Sequence, residues 1–313
     1  MKIIEEILKS RQFDHQPPVL VDIGASGEIH PKWKPIALHS CCIAFDADDR
    51  EFRIKEEADK NYKRLVKINR IVSTKTESQT PFFLTRSPFC SSLLEPDREN
   101  LSPWLFKSLF DVVKISSLPS VTLEETLKTL DISYIDWLKT DTQGTDLRIY
   151  QSLPGEIRKN ILAAEFEPGI MDAYKGEDKL YAVMNEMHRE GYWLSSMQVK
   201  GTQRLNEKFA RQIGDYLSGK IIRTSPCWAE LTYFRNPTEL SLRNVLLNIV
   251  FALLEKQYGY ALELCDIGID RSDEPLLVTA REAILQKILK EKRKLPLIYL
   301  KRKFNKLFSG IDT

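Results

Sequence analysis

Apolar residues along this chain follow two rhythms, and the change between them marks its organisation. Short, mostly apolar runs, the pattern of strands covered on both faces, occur at Val19–Ile23, Cys42–Phe45, around Leu65 to Val72, and at Phe82–Leu84. They recur at Tyr134–Thr140, Ile161–Phe166, Tyr192–Leu194 and Ala229–Phe234. Between these runs the apolar spacing becomes helical, over 50–60, from Thr122 to about Leu130, and over 145–152 and 177–190. Thr122 and Glu125 have capping-box spacing and set the start of their helix. An N-terminal helix carries Ile3, Ile4, Ile7 and Leu8 on one face before Pro17-Pro18 breaks the pattern. Ser87–Pro96 is punctuated by Ser and Pro and reads as a loop.

Strand and helix thus alternate over roughly 19–235. That predicts an α/β fold with a doubly wound, mostly parallel sheet and ligand chemistry at the carboxyl ends of its strands. The run 229–234 follows another strand rather than a helix, so an antiparallel member is expected at the sheet edge. From about 238 onward the pattern is helical only. The expected division is therefore a domain over 1–237 and a helical extension over 238–313.

Composition fits this reading. The chain has 313 residues, of which 42% are hydrophobic and 29% charged. That is ample for a packed core and excludes collagen-like or wholly disordered chains. The net charge of +2 hides an asymmetry. Residues 287–306 hold nine Lys and Arg against Glu291 alone, so the 286 residues before them carry an excess of five acids. Around Pro296 lie two basic segments, and in the second Leu297, Leu300, Phe304, Leu307 and Phe308 recur at helical spacing. Such a basic amphipathic helix suits peripheral contact with an anionic membrane through 287–308, an acidic partner, or docking on the domain. No RNA-binding motif accompanies it, so nucleic acid is not an expected partner.

Five cysteines, two of them adjacent (Cys41 and Cys42), form no C-x-x-C or Cys/His pattern, which predicts free thiols and no zinc site. The first ten residues lack the apolar core of a signal peptide. Val245–Leu254 is broken by Asn248 and is shorter than the ~20 residues a membrane span requires. A cytoplasmic chain, reaching the inner face of a membrane only peripherally, is the expectation.

The turn after the first strand, Asp22-Ile-Gly24-Ala-Ser-Gly27, carries the first chemical decision. A dinucleotide fingerprint starting at Gly24 would require glycines at 26 and 29, where Ser26 and Ile29 stand. Instead, an acid precedes the turn and a second, Asp46, closes the next strand. A carboxylate there suits a pair of ribose hydroxyls. S-adenosylmethionine has a ribose and cationic groups but no phosphate, and fits this arrangement better than a dinucleotide.

Several segments in order resemble the FkbM-type methyltransferases, a family of S-adenosylmethionine-dependent enzymes with the class I methyltransferase (Rossmann-like) fold. They are Val21–Gly27 with Pro31-Lys-Trp33, Ala44–Asp48, Phe83–Pro96, Val121–Leu123, Trp137–Leu147, Ala164–Glu167 and Tyr174–Gly176. The resemblance covers roughly 19–235 and implies methyl transfer to a hydroxyl of a sugar, glycan or glycolipid. It sets Asp22, Gly24 and Gly27, with Ala25 and Ser26 between, against the methionine end of the cofactor. It puts Asp46 and Ala47 at the ribose, and Asp141 and Gln143 facing the transferable methyl. Arg86, Ser91 and Ser92 belong to a loop that the resemblance lays over cofactor or acceptor. Ser26, Glu28 and Asp46-Ala47 depart from the residues common in the family at these positions.

The acceptor must lose a proton, and the candidates for a base are Asp141, Glu165, Glu167 and His30. Alternation places Glu165 and Glu167 on one face about Phe166. These carboxylates could hold a divalent metal through oxygen ligands, or one could be kept proton-accepting by the others; the reading without a metal is preferred. Two other functions remain open, a methyltransferase of a natural product or small metabolite, and a non-catalytic module that binds a partner or membrane through its tail.

Overall fold

A computed structural model describes residues 1–25, 29–47, 61–214, 219–238 and 240–308, with 294–308 described by their backbone alone. The expected helix over 50–60 lies outside the described residues, as do Ser26 and Gly27. The chain divides into two compact units, Gln16–Asn236 and a second made of Met1–His15 with Pro237–Thr313.

The first unit is α/β, with ten strands among the described residues: β1 (Val19–Ile23), β2 (Cys41–Phe45), β3 (Arg64–Ile68), β4 (Ile71–Val72), β5 (Glu77–Thr85), β6 (Val112–Val121), β7 (Trp137–Thr140), β8 (Ala163–Phe166), β9 (Tyr192–Gln203) and β10 (Thr224–Arg235). Seven of them form one sheet in the order β3-β2-β1-β7-β8-β10-β9. Strands β3 to β8 of this sheet run parallel, and β10 is antiparallel to both β8 and β9. The reversed strand is therefore one place in from the edge, and β9 is the edge strand, a correction to the sequence expectation. The reason is length: β9 extends well past Leu194 through the polar stretch to Gln203 and pairs along nearly all of β10. Only its first three residues have the apolar character of a buried strand.

The central strands explain themselves. Every residue of β1 and β2 is buried, and Leu20, Ile43, Leu138 and Ala164 have no exposed surface. Helices Leu123–Thr129, Asp146–Ser152 and Leu180–Arg189 flank the sheet, and Thr122 Oγ1 accepts from Glu125 N–H at 3.1 Å as the capping box requires. Between β1 and β2, Pro31–His39 winds as a 3-10 helix; Pro31 and Pro35 each remove a backbone donor. It buries Trp33 edge-on to Trp137 with ring centroids 5.8 Å apart.

A small second sheet, β4-β6-β5, leads into the loop region. Strand β6 has no clear signature in the sequence, since Ile115-Ser-Ser-Leu-Pro-Ser120 reads as a loop. Its Pro119 is tolerated because the ladder with β5 is irregular there, between the pairs Glu77–Ser120 and Thr80–Leu118.

The second unit is helical: Lys2–Leu8, Leu242–Leu254, Tyr258–Arg271 and Pro275–Phe308. Ile3, Ile4, Ile7 and Leu8 are buried, as is Val245–Leu253 throughout. The last helix runs on through Pro296, so the two basic segments lie on one continuous helical backbone. The amphipathic side chains beyond Arg293 lie outside the description. Among the described residues, no helix is long and apolar enough to cross a membrane. Cys41, Cys42, Cys227 and Cys265 are buried free thiols and Cys90 is half-buried.

Candidate functional site

The carboxyl ends of β1, β2 and β7 converge at the turn after β1. Asp141 N–H donates to Ile23 O at 2.9 Å, and the Gly24 and Ala25 amides both donate to Phe45 O, at 3.0 and 3.1 Å. Gly24 has φ of +81°, and a β-carbon there would lie 2.1 Å from the Asp141 carbonyl oxygen. Only glycine allows the two strand ends to approach so closely. Along this junction runs a cleft lined by Gly24, Phe45, Asp46, Ala47, Ile71 and Asp141, among others. It encloses about 80 Å³, and about 630 Å³ where its open mouth is included. Asp46 is buried at its wall, 8% exposed.

Asp22 lies behind this turn rather than in the cleft, and it is 1% exposed. Lys139 Nζ donates to its Oδ1 at 3.0 Å and His30 N–H to its Oδ2 at 3.0 Å. Burial works against the Lys139 charge, but Asp22 and Asp141 outweigh it and hold the ammonium above its ordinary pKa. The His30 imidazole accepts from Lys32 N–H through Nδ1 and so caps the 3-10 helix. Glu165 and Glu167 have different surroundings. Glu165 accepts from Trp137 Nε1 at 2.7 Å and from Lys32 Nζ at 2.8 Å, whereas Glu167 lies beyond the end of β8 and faces a second cavity. Arg86 is exposed and pairs with Asp111 at 3.0 Å. Ser91 lines the cleft and accepts from Thr85 N–H at 3.2 Å. Ser92 donates through Oγ to Gln143 O at 2.8 Å, tying the loop to the end of β7.

The second cavity is a chamber of about 350 Å³, walled by the 87–110 loop, the ends of β7 and β8, the segment 169–177 and β10. Asp141, Gln143 and Phe89 line both chamber and cleft, so the two spaces meet at Asp141. Gln143 sits at φ +57° and donates from Nε2 to Asp141 Oδ1 at 2.6 Å. The Tyr174 hydroxyl lies 3.1 Å from Gln143 Oε1 and 2.8 Å from Cys90 O, so its one proton is shared between them. Asp146, 1% exposed, accepts from Thr142 N–H at 2.8 Å and from Glu167 N–H at 2.9 Å, which fixes the ends of β7 and β8 to each other.

Burial raises the pKa of Asp141; Lys139 opposes the rise and Asp146 adds to it. Burial also raises Glu167, and the neighbouring Asp141 charge raises it further. Burial and the neighbouring like charge thus favour the protonated form of each carboxyl beyond the ordinary carboxylate range. Asp141, its pKa held above the usual carboxylate range, lies at the point where cleft and chamber join. Among the described residues, no group of three or more His, Cys, Asp or Glu is placed to hold a metal ion.

No protein-family model matches the chain, and no curated protein sequence does. Lys139, Asp146 and Tyr174 lie inside the segments that carry the FkbM resemblance, but nothing in their spacing announced these roles. Phe106, Phe110, Trp228 and Glu230 reach the chamber from distant stretches that carry no motif, and only the fold brings them together.

Proposed function

We propose that the Gln16–Asn236 unit is an S-adenosylmethionine-dependent O-methyltransferase of the FkbM type, with the cleft as cofactor site and the chamber as acceptor site. The observation that carries this reading is Asp141, a carboxyl with raised pKa on the common wall of both spaces. The order of the seven strands, with one reversed strand beside the edge, suits the class I methyltransferase fold.

The cleft fits the cofactor by the chemistry of its donors. Asp46 offers a buried carboxylate for two ribose hydroxyls, and Phe45, Ile71 and Val72 offer apolar surface for a base. Gly24 leaves room that a β-carbon would fill. Asp22, held by Lys139 and His30 N–H, shapes the turn rather than contacting ligand. When bound, S-adenosylmethionine supplies an electrophilic methyl carbon: the acceptor oxygen forms the new C–O bond as the S–C bond breaks, its electron pair staying on sulfur. Asp141 takes the proton the acceptor oxygen gives up, and Gln143 holds the Asp141 carboxyl in place. Much of the remaining catalysis is positioning, because the methyl carbon is already activated.

Calorimetric titration with S-adenosylhomocysteine tests the cofactor site directly. We expect binding, and we expect Asp141→Asn to keep that binding within a few-fold. The same variant should lower transfer of radiolabelled methyl to the acceptor by about 10²-fold or more. Absence of S-adenosylhomocysteine binding would end the methyltransferase reading; unchanged transfer by Asp141→Asn would remove Asp141 as the base.

A further inference from the structure

The chamber beside Asp141 joins two properties that together favour positive charge. Its wall carries a run of aromatic rings in edge contact: Phe106 and Phe110 with centroids 5.2 Å apart, and Phe110 and Tyr174 at 5.5 Å. Trp228 lies 6.4 Å from Phe106 in a tilted arrangement. The same wall carries four carboxyl groups, Asp141, Glu167, Glu177 and Glu230, and no Lys, Arg or His is among its described lining residues.

The cations nearby answer this wall only in part. Lys179 Nζ answers both Glu177 and Asp172 at 2.7 Å, and Lys139 is bound to Asp22. Lys200 pairs with Glu230 at 3.1 Å where both side chains are more than a third exposed, which makes that pair weak. Burial lifts the carboxyl pKa of Asp141, Asp146, Glu167 and Glu177 alike, and carboxyl neighbours add to the rise in each. Electron-rich ring faces and carboxylates share one preference, which is for positive charge. An anionic ligand would find no cationic side chain among the described lining residues.

We propose that the chamber binds an organic ammonium cation, so that the acceptor carries an amino or quaternary ammonium group beside the hydroxyl that is methylated. This rests on reading the chamber as the acceptor site. The Trp228, Phe106 and Phe110 rings and the Glu230 carboxylate receive the cation; Asp141, at the junction with the cleft, receives the hydroxyl.

The test uses the full chain and a pair of probes of equal shape: choline, and 3,3-dimethylbutan-1-ol, in which carbon replaces the charged nitrogen. Binding is read by calorimetry and tryptophan fluorescence at low salt, with S-adenosylhomocysteine titrated into a parallel sample. Choline should bind at least about tenfold more tightly than the neutral alcohol, the scale of one desolvated cation–π contact. Glu230→Gln should weaken choline about threefold or more and leave the alcohol unchanged, and Trp228→Leu should weaken choline with an unchanged circular dichroism spectrum. Equal affinity for the two probes, tighter binding of the alcohol, or no binding of either overturns the proposal; the first two point to a neutral acceptor. If choline binds and S-adenosylhomocysteine does not, the chamber stands as a cation site and the methyltransferase reading falls. The converse result leaves the cofactor cleft standing and removes the ammonium.

Discussion

Replacing Gly24 with alanine probes the junction on which both spaces depend. The new β-carbon would lie 2.1 Å from the Asp141 carbonyl oxygen, where ordinary contact begins near 3.4 Å, so the two strand ends must part by about 1.3 Å. The obstacle is backbone, which no rotamer change can relieve. Alanine at φ +81° also occupies a region that costs about 1–2 kcal/mol for a residue with a β-carbon. Overpacking of this kind adds about 1–3 kcal/mol, which gives a total of about 2–5 kcal/mol. For a unit of this size each kcal/mol lowers Tm by about 2–4 °C, so a fall of about 4–20 °C is expected. Separation of the strand ends also moves Asp141, whose N–H bonds to Ile23 O at 2.9 Å. Affinity for S-adenosylhomocysteine should therefore drop by more than the loss of stability accounts for. The assay is differential scanning calorimetry with and without ligand, on Gly24→Ala beside Gly155→Ala. No heavy atom lies within 4 Å of a β-carbon at Gly155, and its substitution should leave both readings near wild type. A Gly24→Ala protein that melts and binds like Gly155→Ala would refute the reasoning.

Three further perturbations separate the parts of the site. Lys139→Met leaves the Asp22 carboxylate, 1% exposed, with the His30 amide as its one remaining donor among the described residues; a buried charge stripped of its partner costs about 3–5 kcal/mol, to be read as a loss of Tm. The raised carboxyls of Asp141 and Glu167 keep protons in the folded chain that the unfolded chain has released. Their contribution to stability is thus full below the ordinary carboxylate range and is lost as pH rises through the raised values. Tm should fall between about pH 5 and pH 8, and Glu167→Gln should flatten that fall; an identical slope in the variant would contradict the assignment. Tyr174→Phe removes the hydroxyl shared by Gln143 Oε1 and Cys90 O, at a cost of about 1–3 kcal/mol. It should also lower kcat more than it raises the KM for S-adenosylmethionine, since Gln143 then holds Asp141 less firmly, and equal changes in both constants would argue for a structural role alone.

The parts of this molecule that were legible in the sequence are those whose burial is two-sided. Strands β1, β2, β7 and β8 announce themselves as short, mostly apolar runs, and the acids in or just after them mark the carboxyl ends where ligand chemistry gathers. Asp46 and Asp141 could be placed at strand ends in this way. What a carboxylate does at a strand end was not legible: Asp22 and Glu165 lie on the same sheet as Asp141, and contacts with Lys139 and with Lys32 and Trp137 decide their roles. Strand β6 and the far half of β9 escaped notice because they are exposed on one face and carry Ser, Thr, Gln and Pro. The chamber could not be read at all, since its aromatic wall is assembled from residues spread over more than a hundred positions.

The common wall of cleft and chamber carries one more consequence. Asp141, Gln143 and Phe89 each face both spaces, so a ligand settling in one space sets the position and charge of groups that its neighbour must meet. Two ligands so arranged are effectors of each other, and linkage makes the effect reciprocal. Whatever factor the acceptor adds to the affinity for S-adenosylhomocysteine, S-adenosylhomocysteine must add to the affinity for acceptor. Each ligand's binding constant then becomes a measurement of the other's presence.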